Sequence, residues 1–498
     1  MVKTLALALL TLAFLVAVPS ANAATSMDSI FQDDGLLLSG NPDDTTSGLN
    51  QMQGLGANII HALVPWAQIA PGREDVSRPA GFAADDPAAY PEENWVRFDR
   101  LVREASARGL KVFLTPTSPG PAWAGKCTSS TDRKSCITFL NATDYGRFVA
   151  ALGRRYSGSY TPAGADTPLP RVSRWSFINE PNLGSWLAPQ FEGTSKKKIA
   201  TGVKIYRALA QAGLAAMRGT GHGGDELLLA ETAPVGGSAS TLAKGKNPPR
   251  AFLRGLFCID SRGRRIKDKT LGCDKFSPFA ITGISHHPYT SGAAASPYAR
   301  IGADDITFTS MSRLTGLLSQ AAKARSIPKG AASRIVISEF GYQTKPPDNN
   351  GVSWSKQAEY LNEADYLAYR TPQVRAVAQF ELYDAEDVVS FNTGLVTCRQ
   401  SCGARSKPAL DAYKLPLYVV ASGRSKMRIF GWARGARSPQ RVEIHTVAKG
   451  KDTLLSTRTT NAAGILDATF TRRSGTFQLR WNDGTTEHRS RVAAIALR

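Results

Sequence analysis

The sequence predicts an α/β fold, a (β/α)8 TIM barrel followed by a small antiparallel β domain. Two observations carry this. Through the first 415 residues, apolar strand-like runs alternate with amphipathic helical stretches, the pattern that parallel strands with crossover helices produce. After Leu415-Pro416 the chain changes to short alternating runs separated by Gly, Asn and Ser turns.

Eight strands are expected, near residues 35–38, 58–64, 111–115, 174–178, 227–230, 281–285, 334–338 and 375–382. Helical stretches at 95–108, 144–155, 204–218, 310–325 and 355–369 lie between them. A barrel of this kind typically needs about 250 residues. The chain offers more before Leu415, so the surplus is expected in loops, the longest over 232–280. The runs at 427–432, 442–447, 453–459, 468–471 and 476–481 are the expected strands of a β-sandwich-like domain over 416–498.

The chain has 498 residues, 42% hydrophobic and 20% charged, which excludes disordered and fibrous classes. Its formal net charge is +20. From Pro416 to Arg498 there are 15 basic and 5 acidic residues, so half of that charge sits in a sixth of the chain. Such a surface suits either a solvated, solubilising face or adhesion to an anionic cell-wall or extracellular polymer. No nucleic-acid-binding motif accompanies it, so nucleic acid is not an expected partner.

The first residues read as an export signal. Lys3 supplies the positive start, residues 5–18 the short apolar run, and Ala21-Asn22-Ala23 the cleavage site. Residues 1–23 are therefore expected to be removed, leaving a catalytic barrel over 24–415. The run is shorter than the roughly 20 apolar residues that a membrane span needs. No later segment is long and apolar enough, so a secreted protein with no membrane span is expected. Six cysteines fit that compartment. They fall as neighbours around polar segments, and the expected disulfides are Cys127–Cys136, Cys258–Cys273 and Cys398–Cys402. No CxxC spacing or His cluster marks a metal site.

Two stretches can carry chemistry. The fourth expected strand runs into Asn179-Glu180-Pro181, and the seventh into Glu339-Phe340-Gly341. Each puts a carboxylate at the C-terminal end of a barrel strand, the end where such folds build active sites. Paired carboxylates suit glycosidic bond cleavage, one protonating the leaving oxygen and the other attacking the sugar carbon. Glu231 ends the fifth strand and is a third carboxylate at that end. Trp66, Trp123, Trp186 and Trp354 stand in or beside the upper loops, where aromatic faces can stack on sugars. No GxSxG elbow, Walker-type loop or HExxH pattern is present.

Asn179-Glu180-Pro181 closing one strand and Ser338-Glu339-Phe340-Gly341 closing a later one resemble clan A of the glycoside hydrolases. His287-Pro288-Tyr289 after the sixth strand matches that clan's His-x-Tyr. The layout is similar to actinobacterial cellulase-like proteins related to the family that contains β-xylosidases and α-L-iduronidases. The resemblance covers roughly residues 30–415. It implies a retaining glycosidase with Glu180 as acid/base and Glu339 as nucleophile. It also implies Asn179 at the sugar 2-hydroxyl, Tyr289 holding the nucleophile, and His287 at substrate or Glu339. His61 on strand two and Trp123 are further expected substrate contacts. No metal or organic cofactor is implied. The clan's Trp at the end of strand eight is missing, and Phe380 or Tyr383 would substitute. The other readings of these residues are a transglycosylase of the same clan and a catalytically silent carbohydrate- or cell-wall-binding protein.

Overall fold

The structure is a computed structural model and describes residues 23–497 except 238–240, 291, 300, 388–390 and 473. The expected export signal, apart from Ala23, lies outside the described residues. Eight parallel strands close into a barrel. They are β1 (Asp28–Gln32), β2 (Ile59–Pro65), β3 (Lys111–Thr117), β4 (Arg174–Trp175), β5 (Glu226–Thr232), β6 (Gly283–His286), β7 (Ile335–Ile337) and β8 (Val374–Phe380). Each is followed by a main helix: α1 (Pro42–Gly54), α2 (Glu92–Ala107), α3 (Ala142–Arg155), α4 (Thr201–Gly219), α5 (Pro249–Leu256), α6 (Met311–Lys323), α7 (Trp354–Tyr369) and α8 (Pro408–Lys414). This is the (β/α)8 architecture expected.

Local sequence explains the helices. In α2, Trp95, Phe98, Leu101, Val102 and Ala105 recur at three- and four-residue spacing and are buried, so one face packs on the sheet. Asn141 caps α3 by accepting from the backbone of Thr143 and Asp144, and Ser353 caps α7 by accepting from Lys356.

The first strand differs from expectation. Residues 35–38 do not form it; Asp34–Leu37 is a short helix, and β1 lies earlier, at Asp28–Gln32. The Asp33 carboxylate accepts from the Leu36 backbone and so starts a helical turn where the apolar run alone reads as a strand.

The period-two alternation of the strands builds the barrel interior in layers. Ile30, Ile59, Phe113, Leu228, Val336, Ala376 and Ala378 form an apolar plug. Two residues further along β2 and β3, and past Val336 at the end of β7, the inward positions become His61, Thr115 and Ser338, all fully buried. The His61 ring stacks on Phe113, with centroids 4.1 Å apart. A polar layer therefore lies on top of the plug, directly beneath the barrel mouth.

The C-terminal segment forms antiparallel sheets. β9 (Leu417–Ala421), β10 (Met427–Trp432) and β13 (Ile465–Phe470) make one, in the order β9-β10-β13. β11 (Arg441–Ala448), β12 (Lys451–Thr459), β14 (Thr476–Asn482), β15 (Glu487–Arg489) and the short β16 (Ala493–Ala494) make the other, in the order β12-β11-β14-β15 with β16 also paired to β14. Val419, Ile429, Ile444 and Leu479 are among the apolar side chains packed between them. Arg434 ties this unit to the barrel. Its guanidinium pairs with Asp365 of α7 at 2.6 Å and donates to the Ser29 hydroxyl of β1. All three expected disulfides are formed.

Candidate active site

Glu180 is placed by an irregular stretch that leaves β4. Ile178 donates its backbone N–H to the Pro116 carbonyl, Asn179 to the Thr117 hydroxyl, and Glu180 to the Glu231 carbonyl. Ile178 and Glu180 sit at φ 59° and 40°, in the left-handed region that non-glycine residues rarely adopt. Asn182 holds the turn by donating to the Ala233 and Asn247 carbonyls. Strain held in place by such bonds is a common mark of a functional site.

Glu339 follows directly on β7. The Phe380 backbone donates to the Phe340 carbonyl, which fixes the chain beyond Glu339 against β8. Gly341 leaves room for Thr393 of the segment after β8, whose Cβ would stand 2.7 Å from a Cβ at Gly341. The Tyr289 hydroxyl donates to Glu339 Oε1 at 2.9 Å.

The two glutamates meet across the mouth. One carboxylate oxygen of each, together with a ring nitrogen of His287, lie within 4.8 Å of one another. Both carboxylates remain partly open to solvent, at 15% for Glu180 and 12% for Glu339. His287 is fully buried between them. Its Nδ1 lies 3.3 Å from Glu180 Oε1 and 3.9 Å from Glu339 Oε2. Its Nε2 is 2.9 Å from the Ser338 hydroxyl, which is bonded in turn to Ser285.

Burial opposes charge on His287, but the carboxylates of Glu339, Glu180 and Glu231 outweigh it and push the ring up to about 9. An imidazolium therefore stands between the glutamates at neutral pH. Burial pushes Glu339 up as well. The His287 charge opposes that shift, Glu180 reinforces it, and the Tyr289 hydrogen bond opposes it. The three groups are close enough to share a cation. Both His287 nitrogens are instead committed to hydrogen bonds, so the set is read as two carboxylates about an imidazolium.

The pair opens on a cleft of about 760 Å³. Asn179, Trp186, Tyr289 and Phe380 line it beside the two glutamates. Asp34 and Glu381, which were not singled out from sequence, line it too. Desolvation pushes Asp34 up to about 8 and Glu381 well above the usual carboxylate range. Only proximity to the cleft identifies them; no motif surrounds either residue.

Two expected substrate contacts lie elsewhere. Trp123 packs its edge on Trp66 and donates its indole N–H to the Pro71 carbonyl. It does not reach the cleft, because the loop carrying it folds onto the outer core beside Trp66 and Phe82. His61 is in the polar layer below the mouth, fully buried, since its position on β2 faces the barrel interior. Trp66 is buried, and of the four tryptophans noted in the upper loops only Trp186 lines the cleft. Both Phe380 and Tyr383 line it at the end of β8.

No family model matches the chain, and no curated protein matches it. Among solved structures, a calcium-binding mutant of Bacteroides uniformis beta-glucuronidase 2 is similar at 12% identity and TM-score 0.42. The match covers 96% of this chain and 46% of that one, so this chain spans less than half its length. The family 1 β-glucosidase from Thermotoga maritima is similar at 13% identity and TM-score 0.44, over 74% of this chain and 84% of that one. An exo-β-1,4-mannosidase from Opitutaceae bacterium strain TAV5 is similar at 13% identity and TM-score 0.43, over 78% and 58%. Their names are those of glycosidases. Likenesses of this order carry no argument about activity, which rests here on the side chains.

Proposed function

We propose that this chain is a secreted retaining glycoside hydrolase that cleaves O-glycosidic bonds of a poly- or oligosaccharide. The observation that supports it most is the approach of Glu180 and Glu339 to within 4.8 Å at the barrel mouth. Retaining enzymes hold their carboxyl groups about 5–5.5 Å apart, whereas inverting ones leave room for a water between them.

Glu339 attacks the anomeric carbon as Glu180 gives its proton to the leaving oxygen, and the C–O bond to the aglycone breaks. Glu180 then takes a proton from water, whose oxygen displaces Glu339 and releases the sugar. The Tyr289 hydrogen bond favours the ionised form of Glu339, the form that attacks. Asn179 is buried on the cleft wall, and its Oδ1 has no hydrogen-bond partner among the described residues, which suits a sugar hydroxyl there.

Export is part of the proposal. Three disulfides are compatible with an oxidising compartment, and among the described residues no helix is long and apolar enough to cross a membrane. The proposed second partner is an anionic wall or extracellular polymer, met by exposed Arg441, Lys449, Lys451 and Arg458 on and beside β11 and β12. Retention on such a polymer that weakens with salt is the expected behaviour.

A chromogenic-glycoside panel tests the enzyme. Hydrolysis by the wild type and its loss in Glu339→Ala is the expected result. Inertness of the wild type toward the whole panel, with glycan binding retained, would favour a silent binding protein.

A further inference from the structure

Beneath the carboxylate pair a line of hydrogen bonds crosses the barrel. Glu231 Oε1 lies 3.0 Å from Thr115 Oγ1, which lies 3.0 Å from His61 Nε2, and His61 Nδ1 lies 3.2 Å from the Ser338 carbonyl oxygen. All four residues are fully buried. Backbone strain aims Glu231 inward. Ala230 and Glu231 sit at φ 93° and 40°, and the pairing of β5 with β6 slips between Ala230 and Thr232. The distortion is held by the Tyr206 hydroxyl, which accepts from the Ala230 N–H, and by the Glu180 N–H, which donates to the Glu231 carbonyl. Glu231 therefore touches both halves of the catalytic pair: its backbone fixes Glu180, and its side chain ends a chain that reaches the residue before Glu339.

The direction of these bonds assigns the protons. A carbonyl only accepts, so His61 Nδ1 carries a hydrogen. In a neutral ring Nε2 then accepts, and the donor beside it is the Thr115 hydroxyl. If its single hydrogen is spent there, Thr115 Oγ1 can only accept from Glu231 as a carboxylic acid; if Thr115 donates to Glu231 instead, Glu231 is a carboxylate and His61 Nε2 must supply the hydrogen to Thr115. Reversing the chain gives an imidazolium and a carboxylate with the same number of protons. That arrangement separates charge in a dry interior, where a carboxylate and an imidazolium are both costly. Burial, and then the His287 charge, hold His61 down to about 3. Burial pushes Glu231 up to about 7, opposed by the His287 charge and by hydrogen bonds from Thr115 and Ser176, and reinforced by Glu339.

We propose that Glu231 is a positioning residue that carries a proton on the acid side of neutral pH and, through Thr115 and His61, fixes the Ser338 carbonyl of the residue before Glu339. Its kinetic consequence rests on the reading of Glu180 and Glu339 as a glycosidase pair; its protonation does not. The titratable groups facing it are His61, His287, Glu339 and Glu180, with the Tyr145 and Tyr206 hydroxyls. As pH rises through about 7 the acid loses its proton. The Thr115 hydrogen then turns toward Glu231, His61 Nε2 loses its donor, and a negative charge appears under the nucleophile. Activity falls on that limb.

Infrared difference spectra of wild type minus Glu231→Gln, taken across the pH range, read the protonation with no substrate. The expected result is a carboxylic-acid carbonyl band present at acid pH and fading on the alkaline side. In kinetics, Glu231→Gln keeps a neutral donor toward Thr115. It is expected to exceed Glu231→Ala in kcat/KM by about tenfold or more at acid pH, since misplacement of reacting groups is costly. It also loses the wild type's ionisation near about 7 from the alkaline limb. Absence of the acid band, or an unchanged alkaline limb in Glu231→Gln, would overturn the proposal. Because the infrared result stands without catalysis, it holds even if Glu231→Ala fails to fold. An inert wild type that still has the band would defeat the glycosidase reading alone.

Discussion

The Tyr289 hydroxyl donates to Glu339 Oε1 at 2.9 Å, and the Tyr289 ring is held in place by Phe340 and Phe391. A hydrogen bond to an ionised carboxylate contributes about 1.5–3 kcal/mol. Tyr289→Phe is therefore expected to lower kcat roughly 10- to 100-fold. The bond also draws the Glu339 carboxyl down. Without it the acid limb of kcat/KM moves to higher pH, and a pH–rate profile of the variant checks both effects.

Glu180 is expected to act in both steps, so its loss can be repaired in one of them. Glu180→Ala should lose about 10²- to 10⁴-fold in activity, most for poor leaving groups. Azide, which needs no general base, should restore turnover of an activated glycoside. Product analysis should find a glycosyl azide of the same anomeric configuration as the substrate.

Stability carries its own pH signature. An unfolded glutamate titrates near about 4.3, and Glu231 in the folded chain titrates at about 7. Between those values the folded state binds the extra proton, so this group's contribution to stability is full below the lower value and is lost as pH rises through the upper one. Glu231→Gln cannot ionise. Its melting temperature relative to wild type is expected to rise from acid to mildly alkaline pH, as thermal unfolding across that range will register.

Arg434 is the anchor between barrel and C-terminal sheets. It is buried against Asp365, the Tyr413 carbonyl and Ser29, with its guanidinium over the Tyr413 and Trp432 rings. Removing one partner of a buried pair leaves an uncompensated charge and costs about 3–5 kcal/mol. Arg434→Ala should lower the midpoint of urea unfolding accordingly, and an unchanged midpoint would deny the anchor any such part.

Much of this was legible in the sequence, for reasons that can be named. Glu180 and Glu339 stand where apolar runs end, and Tyr289 sits two residues after His287, so the ends of the runs mark the rim they share, although the irregular turn that aims Glu180 is not written in that pattern. His286 alternates outward and bonds Thr232 and Ile306. Other features depend on contacts that no local pattern encodes. β1 carries Ser29 and Gln32 among its inward and outward positions and reads as less strand-like than the apolar run after it. β9, over Leu417–Ala421, is not among the expected strands, since its run begins directly after the Leu415-Pro416 boundary. His61 reads as a sugar contact on its strand, yet the apolar plug ends one layer below it and the mouth opens one layer above. Asp34 and Glu381 reach the cleft only through the closure of β1 against β8.

The most direct test of the catalytic pair is trapping. A panel of 2-deoxy-2-fluoroglycosides with good leaving groups slows release of the glycosyl-enzyme, and peptide mass spectrometry locates the label. One fluoroglycosyl group on Glu339 is the expected result, with none in Glu339→Ala. Hydrolysis of the parent glycosides with inverted anomeric configuration and no labelled peptide, or a label on a different carboxylate, would contradict the assignment of Glu339 as nucleophile.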